Sequence, residues 1–176
     1  MIALEIGPGE KPTDLSWDTM DVIQRPGLTW LHDARSLPLP IPDASYGLVY
    51  MSHILEHIPW TQTVAFLKEI RRILIPGGSV EIWVPDLAKL VQAYLEHNTG
   101  GCKWRKFNKE NDPVTWFNGR LFTYGPEDEN WHRAAFDAQY LKRQLRRAGF
   151  DAAINRLSKP RGYDHGWINL GMVAYK

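Results

Sequence analysis

Short, nearly continuous apolar runs alternate with polar, turn-rich stretches over the first half of the chain, and each run has strand length. Met1 to Ile6 is apolar but for Glu5, and Gly7 and Gly9 then impose a tight turn around Pro8 at the carboxyl end of this first strand. Glu10 to Ser16 is polar and broken by Pro12, so it reads as loop. Trp17 to Ile23, with acids at Asp18 and Asp21, reads as a second strand stopped by Arg25-Pro26-Gly27. Leu28 to His32 is a third, ending at Asp33. The proline-rich Leu37 to Asp43 cannot be helix. Tyr46 to Met51 is a continuous apolar run, the pattern of a strand covered on both faces. Val64, Leu67, Ile70, Ile73 and Leu74 then recur at helical spacing within Trp60 to Leu74, which Pro76-Gly77-Gly78 ends. Ser79 to Val84 predicts the next strand. Asp86 predicts the cap of a helix with an apolar stripe of Leu87, Leu90, Val91, Tyr94 and Leu95, running to Asn98 and Gly100.

The rhythm stops between Gly100 and Arg133, where Trp104, Phe107, Trp116, Phe117, Phe122, Tyr124 and Trp131 are scattered among polar residues without a clean period. This stretch reads as an insertion serving either as a lid over a site or as plain cover, its aromatics forming a satellite core. Regular structure resumes with Asp137 as N-cap, then Tyr140, Leu141, Leu145 and Ala148 inward and Gly149 as stop. Ala152 to Leu157 and Trp167 to Tyr175 predict a closing hairpin. The expectation is an α/β chain with a Rossmann-like, doubly wound, mostly parallel sheet and a C-terminal antiparallel hairpin. It forms one domain over 1–176, with an aromatic-rich insertion at about 100–133. A ligand crevice is expected beyond the carboxyl ends of the strands, beside the first.

Composition narrows the class without naming a substrate. A chain of 176 residues, 44% hydrophobic and formally +1, is neither disordered nor fibrous, and it carries no global charge to draw it to nucleic acid or an anionic membrane. No basic-then-apolar leader and no membrane-length apolar run is present, so the expected location is the cytoplasm. Cys102 is the only cysteine and is expected to be inert.

Ser52-His53-Ile54-Leu55-Glu56-His57 follows the fourth strand and contains His-x-x-Glu-His, the inverted zinc-protease spacing. On a helix His53 and His57 would share a face and ligate zinc, with Glu56 as base. The preceding strand and the break at Pro59 leave little helix for that geometry, so no metal is expected, and the segment is read as a loop lining the ligand cleft.

Several stretches together carry a resemblance: Leu4-Glu5-Ile6-Gly7-Pro8-Gly9, Asp21, Asp33, Asp43 to Val49, His53 to His57 and Leu67 to Gly78. In that order they resemble the class I S-adenosylmethionine-dependent methyltransferases. The short first crossover and the late Trp131-His132, followed by a helix ending Ala148-Gly149-Phe150, are similar to small methyltransferases of glycan gene clusters. The resemblance implies S-adenosylmethionine as cofactor, a ligand without phosphate, for which loss of the first helix is tolerable. It implies that Glu5 helps hold the methionine end, the alternative being a buried acid pairing with a loop. It implies that Gly7, Pro8 and Gly9 allow close approach and that Asp21, rather than Asp18, binds the ribose hydroxyls. Asp33 and Ala34 would lie near the adenine, or Asp33 would cap a turn, and Ser52 would join the cofactor wall. Lys11-Pro12 stands where many relatives continue with glycine and helix, which leaves the methionine carboxylate's placement open.

Methyl transfer is a displacement in which positioning carries much of the acceleration, and a sugar hydroxyl would also want a general base. His53, His57 and His132 are the candidates, each against the alternative of a structural histidine. The expected acceptor is a sugar or another small molecule. A nucleic-acid methyltransferase is the second class, suggested by Lys103, Arg105, Lys106 and Lys109 among Trp104 and Phe107 but disfavoured by the neutral charge. A non-catalytic S-adenosylmethionine-binding module is the third.

Overall fold

In a computed structural model the chain is described over residues 2–97, 108–123, 128–150 and 154–176. The strands are β1 (Ala3–Ile6), β2 (Asp18–Asp21), β3 (Trp30–Leu31), β4 (Tyr46–Ser52), β5 (Leu74–Pro85), β6 (Ile154–Leu157) and β7 (Asn169–Tyr175). They form one seven-stranded sheet in the order β3-β2-β1-β4-β5-β7-β6. The five strands from β3 to β5 are mutually parallel, and β7 runs antiparallel between β5 and β6. The predicted sheet and closing hairpin are present, and the order reverses beside β1, whose neighbours are β2 and β4. That reversal opens a crevice beyond the carboxyl ends of β1, β2 and β4.

One face of the sheet carries the apolar row Ile6, Met51 and Ile82 and packs under α1 (Thr63–Ile73) and α4 (Ala138–Arg147). Phe66, Leu67, Ile70 and Ile73 of α1 and Leu141 and Leu145 of α4 are buried there, together with Phe136 and Phe150. Burial of such side chains contributes roughly 1.5–3 kcal/mol each. Asp137 caps α4 by accepting from Tyr140 N, and Gly149, at φ 94°, ends its turn.

The opposite face carries Glu5, Tyr50 and Glu81 in register across β1, β4 and β5, and loops cover it. The first crossover, from Gly7 to Trp17, has no helix: Thr13 reaches Glu5, and Trp17 meets the Tyr50 ring edge-on at 6.0 Å. Arg161 forks onto the Glu81 carboxylate, and Gly162 N donates to the Tyr50 hydroxyl.

Three sequence expectations change. β5 starts at Leu74 rather than Ser79, because the chain re-pairs with Tyr46 directly after α1 and an irregularity follows before Leu48 pairs Ser79. Helix α2 (Leu87–Leu95) is capped by Asp86 as expected, yet its buried residues are Leu90 and Ala93, while Val91, Tyr94 and Leu95 are exposed. Its partner is α3 (Pro113–Leu121), a helix inside the stretch read as irregular; Trp116 and Ile168 complete a small second core with Leu90 and Ala93. Asp112 as N-cap with Pro113 in the first turn was the overlooked signal. Gly100, Cys102, the Lys103–Phe107 stretch, Tyr124 and Ala152 lie outside the described residues. No helix among the described residues is long and apolar enough to cross a membrane.

Candidate active site

Gly7 and Gly9 leave β1 at φ 70° and 61°, and each requires glycine for a different reason. Gly7 N donates to Met20 O at 2.8 Å, and a Cβ on Gly7 would lie 1.9 Å from Ile54 Cδ1, so both conformation and room are limiting. At Gly9 an added Cβ would meet no heavy atom within 4 Å, so only the backbone conformation demands glycine there.

Beyond these turns lies a partly open cleft of about 80 Å³. Its floor and sides include Gly7, Met20, Asp21, Asp33, Ala34 and Ile54, with His57 at one end. Four of the expected cofactor residues, Gly7, Asp21, Asp33 and Ala34, therefore share one wall; Glu5, Pro8, Gly9 and Ser52 do not line it. Glu5 points to the other sheet face, where Oε2 accepts from Thr13 N and Oε1 from Thr13 Oγ1, both at 2.7 Å. Burial pushes its pKa up while Thr13 opposes the rise. Ser52 meets the Tyr50 hydroxyl.

Asp21 ends β2. Its Oδ1 accepts from Ile23 N at 2.9 Å and its Oδ2 lies 3.3 Å from Arg25 Nη1, which fixes the carboxylate at the cleft. Asp18 stands at the start of the same strand and accepts from the Tyr46 hydroxyl at 2.8 Å, away from the cleft. Asp33 follows β3 and grips Arg35 through both carboxylate oxygens, which lowers its pKa. Arg35 continues to Asp128 Oδ2 at 3.0 Å, and Arg133 reaches the other Asp128 oxygen at 2.7 Å. This strap ties the wall after β3 to the segment preceding α4, and nothing in the sequence pattern singles out Arg35 or Asp128.

The histidines group around Glu56. His53 leaves β4 at φ 57°, a left-handed conformation uncommon outside glycine, and its backbone N donates to Trp83 O. Its Nδ1 lies 3.1 Å from Glu56 Oε1 and its Nε2 lies 3.0 Å from Asn169 Oδ1. The Asn169 amide donates to Asp164, so its oxygen faces His53 and Nε2 must donate. Both ring nitrogens of His53 thus face oxygen atoms. Burial opposes its charge, but Glu56 and Asn169 outweigh burial and raise the pKa.

Glu56 is buried in the single turn Leu55–His57, and neither carboxylate oxygen has a well-aligned hydrogen-bond partner. Burial would raise its pKa, yet the surrounding histidines hold it down at about 2. His57 Nδ1 sits 3.3 Å from Trp131 O, which can only accept, so Nε2 carries the lone pair. His132 meets the His57 ring edge-on at 4.9 Å, and burial lowers its pKa. His132 also lines a second, open cavity of about 530 Å³ with Trp60, Phe122, Arg133, Tyr140 and Arg143. The His57–His132 pair thus stands between two cavities. Of the three expected histidines, the structure places His57 on the first cleft, His132 on the second cavity, and His53 behind Glu56.

Residues 14–82 match the family model of a methyltransferase domain, a span from before β2 into β5 that includes Asp21, Asp33 and the His53–His57 turn. No curated protein matches the chain. Among solved structures the chain is similar to an S-adenosylmethionine-dependent methyltransferase of Thermotoga maritima, at 20% identity and TM-score 0.60, covering 99% of this chain and 82% of that one. It is also similar to the 1,6-didemethyltoxoflavin-N1-methyltransferase of Burkholderia thailandensis, bound to its acceptor and S-adenosylhomocysteine, at 16% identity, TM-score 0.59, and 99% and 70% of the two chains. A third such structure is an S-adenosylmethionine-dependent methyltransferase of Archaeoglobus fulgidus, at 15% identity, TM-score 0.57, and 99% and 85% coverage. At these identities the likeness shows the fold.

Proposed function

From the methyltransferase-domain match over residues 14–82 and a fold shared with methyltransferases, we propose that this protein transfers a methyl group from S-adenosylmethionine to a small hydroxyl-bearing acceptor, of the sugar class. The observation that carries this reading is the His57–His132 pair between the cleft beyond β1 and β2 and the second cavity. A donor in the first cavity and an acceptor in the second would meet there.

The residues suit that cofactor. Gly7 brings bare backbone to the cleft, and the turn at Gly9 beside it leaves open space. The Asp21 carboxylate, held by Ile23 N and Arg25, is oriented to accept from a ribose diol. Met20 and Ile54 offer apolar surface to a purine, with Asp33 and Ala34 at its rim. Glu5 acts at a distance, by holding the first crossover through Thr13. When bound, S-adenosylmethionine supplies an activated methyl group on a sulfonium, and the electron pair of the broken C–S bond returns to sulfur.

The second cavity fits a sugar: Trp60, Phe122 and Tyr140 give flat apolar surfaces, and Arg133 and Arg143 give donors for hydroxyl or acidic substituents. His57, on the first cleft and beside His132 of the second cavity, would take the proton of an acceptor hydroxyl held between them, so positioning and proton removal would fall on one residue.

The test is calorimetric titration of the wild type and of Asp21→Ala with S-adenosylmethionine and S-adenosylhomocysteine, followed by labelled-methyl transfer to a panel of sugars and phenols. Micromolar binding that is lost in the variant, with transfer to a hydroxylated acceptor, is the expected result. A folded wild type that binds neither ligand overturns the proposal; binding with no transfer to any acceptor reduces the protein to a cofactor-binding module.

A further inference from the structure

We propose that Glu56, His57 and His132 bind one divalent first-row transition cation whose open positions face the acceptor cavity. One ligand atom from each residue already lies within 4.8 Å of the other two. A cation with bonds of about 2.1 Å draws its ligands to about 3–3.4 Å from one another, a contraction within reach of imidazole rotation.

Four observations converge. Glu56 is 1% exposed, and neither of its oxygens has an aligned hydrogen-bond donor. A buried carboxylate in that condition is costly unless it is paired or coordinates a metal. Second, His57 directs Nδ1 to the Trp131 carbonyl, the contact that fixes the tautomer of a ligating histidine and leaves Nε2 free to coordinate. Third, His53 holds Glu56 Oε1 from behind and is itself held by Asn169, the arrangement that orients a ligating carboxylate and leaves Oε2 for the ion. Fourth, Arg133 N and Ala134 N both donate to Glu56 O, at 2.7 and 3.0 Å, so the backbone beside His132 is fastened to the turn carrying Glu56 and His57.

Two imidazoles and one carboxylate select zinc, cobalt, manganese or iron(II) over magnesium and calcium, which prefer all-oxygen sites. The pair that converges with Glu56 is not the one the His-x-x-Glu-His spacing advertises. His53 is engaged behind the carboxylate, and His132, from the far end of the insertion, takes its place. This site replaces the sequence expectation of no metal.

The role of the ion rests on the methyltransferase reading, whereas its binding does not. An acceptor hydroxyl on an open coordination position is polarised and its pKa falls, so its proton leaves to water without a protein base. His57 then contributes its lone pair to the ion instead of to the proton.

The experiment uses tag-free protein stripped with a chelator and titrated with cobalt(II), read by visible d–d absorption and elemental analysis, with circular dichroism to monitor folding. The wild type is expected to take up one cobalt per chain. His57→Ala and His132→Ala should each weaken it by about 100-fold or more, and His53→Gln by about 10- to 100-fold. No stoichiometric uptake by folded wild type, or equal uptake by the two ligand variants, overturns the site. S-adenosylmethionine titration of the same samples separates the two proposals: cofactor binding without cobalt uptake removes only the cation, and cobalt uptake without cofactor binding removes only the methyltransferase reading.

Discussion

His53 and His165 stack with ring centroids 3.7 Å apart and planes 32° apart, and their surroundings shift the two pKa values in opposite directions. Glu56 and Asn169 outweigh burial and raise the His53 pKa, while burial and then the neighbouring His53 push the His165 pKa down. The stack therefore favours charge on His53 over charge on His165.

This arrangement sets a pH dependence. A group whose folded pKa is depressed contributes stability above its unfolded pKa and loses it as pH falls through the folded value. For His165 that loss begins below about pH 6.5. Because His165 is itself exposed, solvent screening keeps the effect within about 1 kcal/mol. Denaturant unfolding at pH 7 and pH 5 should show the wild type losing more stability than His165→Phe, and NMR titration should place the His165 pKa below 6.5.

Asp21 and Asp18 share one strand but should separate by function. Asp21→Asn keeps the acceptor for Ile23 N and removes the charge, so S-adenosylmethionine affinity is expected to fall by about 10-fold or more with little change in stability. Asp18→Asn disturbs the chain from Trp30 Nε1 through the Tyr46 hydroxyl to Asp18 and should cost about 1 kcal/mol of stability with cofactor affinity unchanged. Calorimetry and denaturant melts on the two variants check both halves.

Gly7→Ala and Gly9→Ala should differ in kind. Both place a side chain at positive φ, a strain of about 1–2 kcal/mol. Only the Gly7 methyl collides with Ile54, whose displacement intrudes on the cleft. Cofactor affinity should therefore fall further in Gly7→Ala than thermal stability alone explains, and Gly7→Ala/Ile54→Ala should recover part of it.

The Arg35 strap should govern cofactor retention rather than folding. Arg35→Met releases Asp128 and leaves the Asp33 carboxylate without its partner. Exposed pairs contribute about 0–1 kcal/mol, so unfolding should barely change. Cofactor dissociation measured by stopped flow should quicken several-fold, and high salt should bring the wild type toward the variant.

Much of the molecule was legible before folding because its signals are local. Continuous apolar runs marked β1, β4 and most of β5, helical periodicity marked α1 and α4, and glycines at a strand end marked the turn that opens the cleft. Chain order placed Asp21 and Asp33 at neighbouring strand ends, since parallel strands present their carboxyl ends on one edge. Helix α3 was local too, in Asp112-Pro113, but the scattered aromatics obscured it.

Other assignments depended on partners that no spacing reveals. Glu5 is a strand acid in sequence, and only the path of the helix-less crossover turns both its oxygens toward Thr13. Asn169 engages Nε2 of His53 from across β5, and Trp131 engages Nδ1 of His57 from the far end of the insertion. The sequence by itself determined the strands, the principal helices and the edge where the cleft opens, because apolar periodicity and glycine conformation act over a few residues. Tertiary structure alone decided which histidines keep a lone pair and which acid faces the cleft, because hydrogen-bond partners and burial are set by contacts between residues far apart in the chain.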